Sequence, residues 1–312
     1  MKVKFYAATL LALALAGCNN DEMDNPLADG PVPMSFTADI HSVATRTTAG
    51  NFETGDVVGI IPMKGNKVEA AQANIAYTYN GSAFTADPPY YFQNNDEVTF
   101  NAYYPYQSTL GDSYTLEIDT RNGNHKDVTV NGNVWRNNDY LFASAKSTVG
   151  TPSISFTEDA GNPFGHVMSS VAILFKAGTD AGVANLTPLR GYTLGGVVTE
   201  GTFDCSTGIV SPKDGVPAEA ITVTGISCEE SDTEHQTASL ILLPQEVNGG
   251  KLILKVDFNN TTYTADLPLS KLEAGILHVF PVTIKNTKLE IGTAIIKDWA
   301  YRPETGGNAE LQ

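Results

Sequence analysis

Along most of this chain apolar residues recur at every second position in short runs, separated by Gly, Asn, Asp and Pro. A two-residue period sends alternate side chains to opposite faces of an extended chain, so each run predicts a strand with one buried face. The first is residues 34–40, where Met34, Phe36, Ala38 and Ile40 alternate with Ser35, Thr37 and Asp39. Residues 55–62 read as a short buried strand, and Val98, Phe100, Ala102 and Tyr104 alternate until Pro105 stops the run. Shorter strands are predicted at 75–79, 90–92, 114–118 and 128–130. In the second half, 171–175, 192–198, 201–205, 221–223 and 240–243 continue the pattern, and 251–258 with 262–267 read as a hairpin turning at Asn259-Asn260. Near the end the odd positions Leu289, Ile291, Thr293, Ile295, Lys297, Trp299 and Tyr301 predict one long alternating strand. That strand either pairs at home as a final edge or is exposed for pairing elsewhere. No long helical period interrupts these runs, so the fold class is all-β, most simply two β-sandwiches in tandem.

The first 18 residues depart from the pattern. Lys2 and Lys4 precede an apolar run, 5–16, that is too short to span a bilayer. It closes on Leu15-Ala16-Gly17-Cys18, the pattern of a bacterial lipobox. Residues 1–18 therefore read as a lipoprotein signal peptide with the lipid on Cys18; a plain signal peptide cut near Gly17 is the simpler alternative. Residues 19–46 form a Pro- and Asn-containing tether that carries the first strand and ends in a loop of small residues around a lone Arg46. A leader, a strand and then a cuttable loop make this segment a candidate propeptide. The rest divides into a sandwich at 47–160, a second at 161–288, and a candidate donated strand with its tail at 289–312.

Charge narrows the partners. The chain holds 19 basic and 35 acidic residues, and loss of Lys2 and Lys4 with the leader leaves 17 against 35. Such a surface repels phosphate backbones, which argues against nucleic acid. Once Cys18 is used, Cys205 and Cys228 remain. An oxidising compartment permits a disulfide between them, and two small buried thiols are the alternative, since spacing does not fix pairing.

Catalytic chemistry is not legible. His41, His125, His166, His235 and His278 lack the paired spacing of a zinc site, and no glycine-flanked nucleophilic serine occurs. The expectation is a non-enzyme without metal or cofactor beyond the lipid. His166, at the start of a buried run, reads as a hydrogen-bonded structural histidine. Residues 119–127 are polar enough for calcium, but Arg121 takes a ligand position and Lys126 adds charge, which leaves a turn. Tyr90, Tyr91, Tyr103, Tyr104 and Tyr106 read as core packing and rim in preference to a glycan-binding face.

Several segments, taken in order, resemble the fimbrillin family, the lipoprotein pilins of type V pili in Bacteroides-like bacteria. They are the lipobox at Cys18, Thr45-Arg46-Thr47, Gly55-Asp56-Val57-Val58-Gly59-Ile60, and Phe100-Asn101-Ala102-Tyr103-Tyr104-Pro105-Tyr106. Further on they are 139–143, Phe164-Gly165-His166, Leu242-Leu243-Pro244-Gln245, Leu272-Glu273-Ala274-Gly275 and Ile296-Lys297-Asp298-Trp299. The resemblance implies two transthyretin-like β-sandwich domains and an outer-membrane lipoprotein precursor. It also implies cleavage after Arg46 by an arginine-specific surface protease, with Thr47 as the new N-terminus. Loss of the first strand would open a groove for a strand of another pilin subunit. In this chain the matching donor positions are Leu289, Ile291, Thr293, Ile295 and Trp299. The implied product is an extracellular fimbrium for adhesion, by donor-strand exchange. The alternative is a monomeric surface lipoprotein that keeps its first strand and binds glycans through its sandwich loops.

Overall fold

The alternating runs become strands close to where the pattern places them, and the computed structural model describes residues 30–41, 52–122, 138–179 and 183–299. The expected strand at 128–130 lies outside the described residues, as do Cys18, Arg46 and Thr47. In the first sandwich one sheet runs Gly165–His166, Leu141–Ser147, Val98–Tyr104, Val57–Lys64, Ile75–Tyr79, Phe84–Thr85, all antiparallel. Against it lie two short pairs: Val32–Pro33 with Tyr91–Phe92, and Ser35–Ala38 with Ser153–Phe156. Their inner faces enclose a core rich in rings, including Phe36, Tyr77, Phe84, Phe92, Phe100, Phe156 and Phe164.

The second sandwich sets Ser169–Ala177 beside Ile276–Ile284 in parallel, flanked by Glu234–Gln236 and Leu240–Leu242. The opposing sheet runs Glu219–Thr224, Leu189–Val197, Lys251–Phe258, Thr261–Pro268. Its last two strands form the expected hairpin. Asn259 and Asn260 both adopt positive φ, 50° and 60°, the conformation that a two-residue turn between right-twisted strands requires. Lys251–Phe258 alternates strictly between exposed and buried positions, so four of its five apolar residues enter the core and only Ile253 points outward. This core is mostly aliphatic, built from Leu194, Leu252, Leu254, Val256, Val282 and their neighbours.

Between the sandwiches sits a three-stranded sheet, Ile209–Pro212, Glu200–Asp204, Thr115–Asp119. Its third strand comes from the first half of the chain and its other two from the second, so the halves interlock across residue 160. Gly165–His166 likewise belongs to the first sheet. The sheet covers the outer face of the first sandwich, where Ile61 and Tyr103 join Ile118, Phe203, Leu243 and Trp299. Val98–Tyr104 is therefore buried on both faces, although alternation predicts only one. Gly59 makes this possible: a Cβ there would meet the Tyr103 ring at 2.1 Å. Arg121 fastens the third strand with ion pairs to Asp119, Glu200 and Glu219.

One open pairing is decided and one expectation changes. Cys205 and Cys228 are free thiols, not a disulfide. Cys205 lies in the junction cluster and Cys228 against the second core, so each serves a different layer as a small apolar side chain. The single long strand at the C-terminal end is two strands, Leu289–Ile291 and Ile295–Asp298, both antiparallel to Ile276–Ile284. Residues 292–294 oppose only Phe280 and Pro281, one residue too many, which is a bulge. Pro281 has no N–H for the ladder, and its carbonyl accepts from Gly292 N at 2.8 Å. The extra residue reverses the alternation: Leu289 and Ile291 pack on the second core, while Ile295 turns to the opposite face with Val279.

Candidate functional site

The N-terminal strand is held by partners far along the chain. Ser35–Ala38 pairs in parallel with Ser153–Phe156, more than a hundred residues away, and Ile40 bridges Phe164 in the same sense. Parallel pairing cannot come from a tight turn, so this strand reaches its partner through a long connection, as Ser169–Ala177 and Ile276–Ile284 do in the second sandwich. Backbone bonds tie it down: Ser35 N to Pro152 O at 3.2 Å, Asp39 N to Phe156 O at 2.9 Å, His41 N to Phe164 O at 2.7 Å, and Phe164 N to Asp39 O at 2.9 Å. On the other side Met34 N donates to Tyr90 O at 2.8 Å.

Alternation decides which side chains anchor it. Met34, Phe36 and Ile40 are 2%, 3% and 9% exposed, while Ser35 and Thr37 face solvent. Phe36 stands in a box of rings, with centroids 4.7 Å from Phe84, 5.1 Å from Tyr77 and 5.4 Å from Phe156. Such burial contributes roughly 2 kcal/mol per side chain, and each backbone bond about 1 kcal/mol net. Tyr77 adds a polar pin in this apolar slot. Its hydroxyl donates to Met34 O at 3.3 Å and accepts from Tyr90 N at 2.9 Å. Burial pushes the Tyr77 phenol up to about 12, so it remains a donor at any physiological pH. At the surface Ser35 meets Ser153 at 2.8 Å, and His41 Nδ1 meets Glu158 at 2.7 Å.

Past His41 the chain is next described at Phe52, whose ring packs edge-on to Phe84, Tyr104 and Phe164. The candidate cleavage residues fall in that interval. Sequence reasoning found the strand and its buried positions. It missed the Tyr77 pin, because a hydroxyl bridging two backbone groups leaves no trace in periodicity.

The other candidate residues are spread apart. Leu289, Ile291, Ile295 and Trp299 are engaged within the second sandwich and the junction, and Thr293 is exposed at the bulge. Trp299 stacks on His166 with ring centroids 4.3 Å apart, and its backbone N–H donates to Gly275 O at 2.7 Å. His166 is buried and bonded through Nδ1 to Asp139 at 2.7 Å, the structural role expected of it. Of the five clustered tyrosines, Tyr90 and Tyr103 are fully buried and Tyr91, Tyr104 and Tyr106 half-buried. Tyr90, Tyr103 and Tyr104 donate to Glu69, Asn74 and Asp56, so these hydroxyls are committed inside the fold.

The architecture is all-β, with two β-sandwich cores, the first completed by a strand from upstream. The chain belongs to the fimbrillin-like family, whose model matches residues 45–299. The matched span begins after the N-terminal strand and next to Arg46. Over 331 aligned residues the chain is 25% identical to Fim1C of Bacteroides uniformis, assigned as a fimbrium subunit, covering 98% of this chain and 97% of that protein. Two crystal structures share its fold, both of proteins assigned to cell adhesion. One, from Bacteroides ovatus, has a TM-score of 0.69 at 24% identity, covering 88% of this chain and 99% of that one. The other, from Bacteroides uniformis, has a TM-score of 0.66 at 21% identity, covering 87% and 99%.

Proposed function

We propose that this protein is a structural subunit of a cell-surface fimbrium, joined to its neighbour by strand replacement in the first sandwich. It is exported as a lipoprotein through Cys18 and held at the outer membrane by that lipid. An arginine-specific surface protease cuts after Arg46, leaving Thr47 as the N-terminus. The observation that carries this reading is the Ser35–Ala38 strand. It fills a slot in a core otherwise built from later residues, it pairs in parallel, and one cut between His41 and Phe52 separates it from the body. Until then the slot is occupied, so the cut is the switch. Addition of a foreign strand to the freed edge uses the same backbone donors and acceptors. The family membership and the position where the matched region begins support the same boundary.

Arg46→Ala tests the switch. Cells carrying this variant should accumulate the lipid-bearing precursor and lose this subunit from sheared fimbriae, whereas the parent protein shed from cells should begin at Thr47. Normal incorporation of the uncut variant would overturn the reading.

A further inference from the structure

We propose that the slot vacated by residues 32–40 takes a strand from a different subunit, reading aliphatic–x–aromatic–x–small–x–aliphatic, and not the terminal strand of a second copy of this chain. This rests on the strand-replacement reading above and specifies its partner.

The slot is shaped for a sequence. Tyr90 O and the Tyr77 hydroxyl grip the backbone at position 34, which fixes the register of whatever lies there. Two residues on, the box of Tyr77, Phe84 and Phe156 is sized for a ring. Ala38 occupies a half-buried position that admits a small side chain, and Ile40 packs where the chain bridges Phe164.

Residues 286–312 do not supply that pattern when laid in the direction of Ser35–Ala38. Leu289-Ile291-Thr293-Ile295 puts an isoleucine in the ring box and leaves it underfilled. Trp299-Tyr301-Pro303-Thr305 places a ring correctly but buries a phenol hydroxyl among Tyr77, Phe84 and Phe156 and sets a threonine at the Ile40 position. Each remaining register either buries Lys288, Glu290, Lys297, Asp298, Arg302, Glu304 or Glu310 in one of the four positions or offers no ring to the box.

The terminal segment is also already engaged. Leu289 and Ile291 cover the second core, Lys285 and Lys288 pair with Glu290, and Trp299 is 8% exposed over His166. Withdrawing it would strip apolar surface from the second sandwich and the junction together.

The test uses the full chain, cut after Arg46 and separated from the released segment. A fluorescent peptide of residues 32–40 is bound to it, and unlabelled peptides compete, read by anisotropy. The 32–40 peptide should displace the probe. Its Phe36→Ala form should be weaker by at least about 100-fold, the scale of emptying an aromatic site. A peptide of residues 287–305 should not compete at 100-fold excess, and the cut chain alone should stay monomeric on size exclusion. Competition by the 287–305 peptide within tenfold of the 32–40 peptide, or filaments from the cut chain alone, overturns the inference while leaving strand replacement standing. A cut chain that takes up neither peptide overturns the strand-replacement reading, and the inference falls with it.

Discussion

The two sandwiches solve the same packing problem with different residues. Among the described residues, nine of the 20 buried apolar side chains in the first core are aromatic, against four of the 24 in the second. Rings are rigid and meet edge to face, so removing one strand from a ring-lined core leaves a slot of definite shape. Aliphatic side chains interdigitate more adaptably, and the second core is completed by its own hairpin and terminal strands. Rings are what would make the first sandwich selective in the proposed strand replacement, while aliphatic packing closes the second.

Substitutions that separate the two cores test this contrast most sharply. The largest effect is expected from Phe36→Ala in the uncut protein, which should cost the first sandwich about 3–5 kcal/mol. Hydrogen exchange should then accelerate in Val98–Tyr104 and Ser153–Phe156 while Lys251–Phe258 keeps its protection. Equal loss in both sandwiches would mean that they unfold as one unit. Trp299→Ala comes next, at about 3 kcal/mol, because it empties the place over His166. Its loss should appear in Ile276–Ile284 and at the junction, measured by urea denaturation, and leave the occupancy of the Phe36 slot unchanged.

Acid should divide the halves in a graded way. Burial holds His278 below the ordinary imidazole range, opposed by nearby Glu273, and burial does the same for His235 against Asp232. The unfolded chain then binds protons that the folded chain refuses, so stability declines as pH falls below about 6.5. Both residues belong to the second half, so its melting should respond first, and His278→Phe should make the slope shallower with His235 supplying the remainder. The smallest effect is expected from Lys251→Ala, which removes an exposed ion pair to Asp266 on the outer face of the hairpin. Its midpoint should shift by less than about 0.5 kcal/mol, a baseline for the other variants.

Much of this was legible one residue at a time. The alternation at Met34, Phe36 and Ile40, the strict pattern of Lys251–Phe258 and the turn at Asn259-Asn260 each follow from local chemistry, because a strand's faces and a tight turn's φ values are set within a few residues. His166 was recognised as structural, although not the tryptophan stacked on it. The terminal segment misled: odd-position alternation through Leu289 and Ile295 reads as one face, and only the lack of a donor at Pro281 on the neighbouring strand introduces the bulge that splits it.

The sequence by itself determined the fold class, the buried face of each strand and the upstream segment that one cut would detach, because these depend on period, turn chemistry and order along the chain. Tertiary structure alone decided that Thr115–Asp119 crosses to strands of the second half and that Cys205 and Cys228 serve separate layers. It alone gave the first slot a ring-shaped pocket with a hydroxyl pin. Those features depend on which distant faces meet, and period-two patterning marks a face as apolar without naming the surface that will cover it.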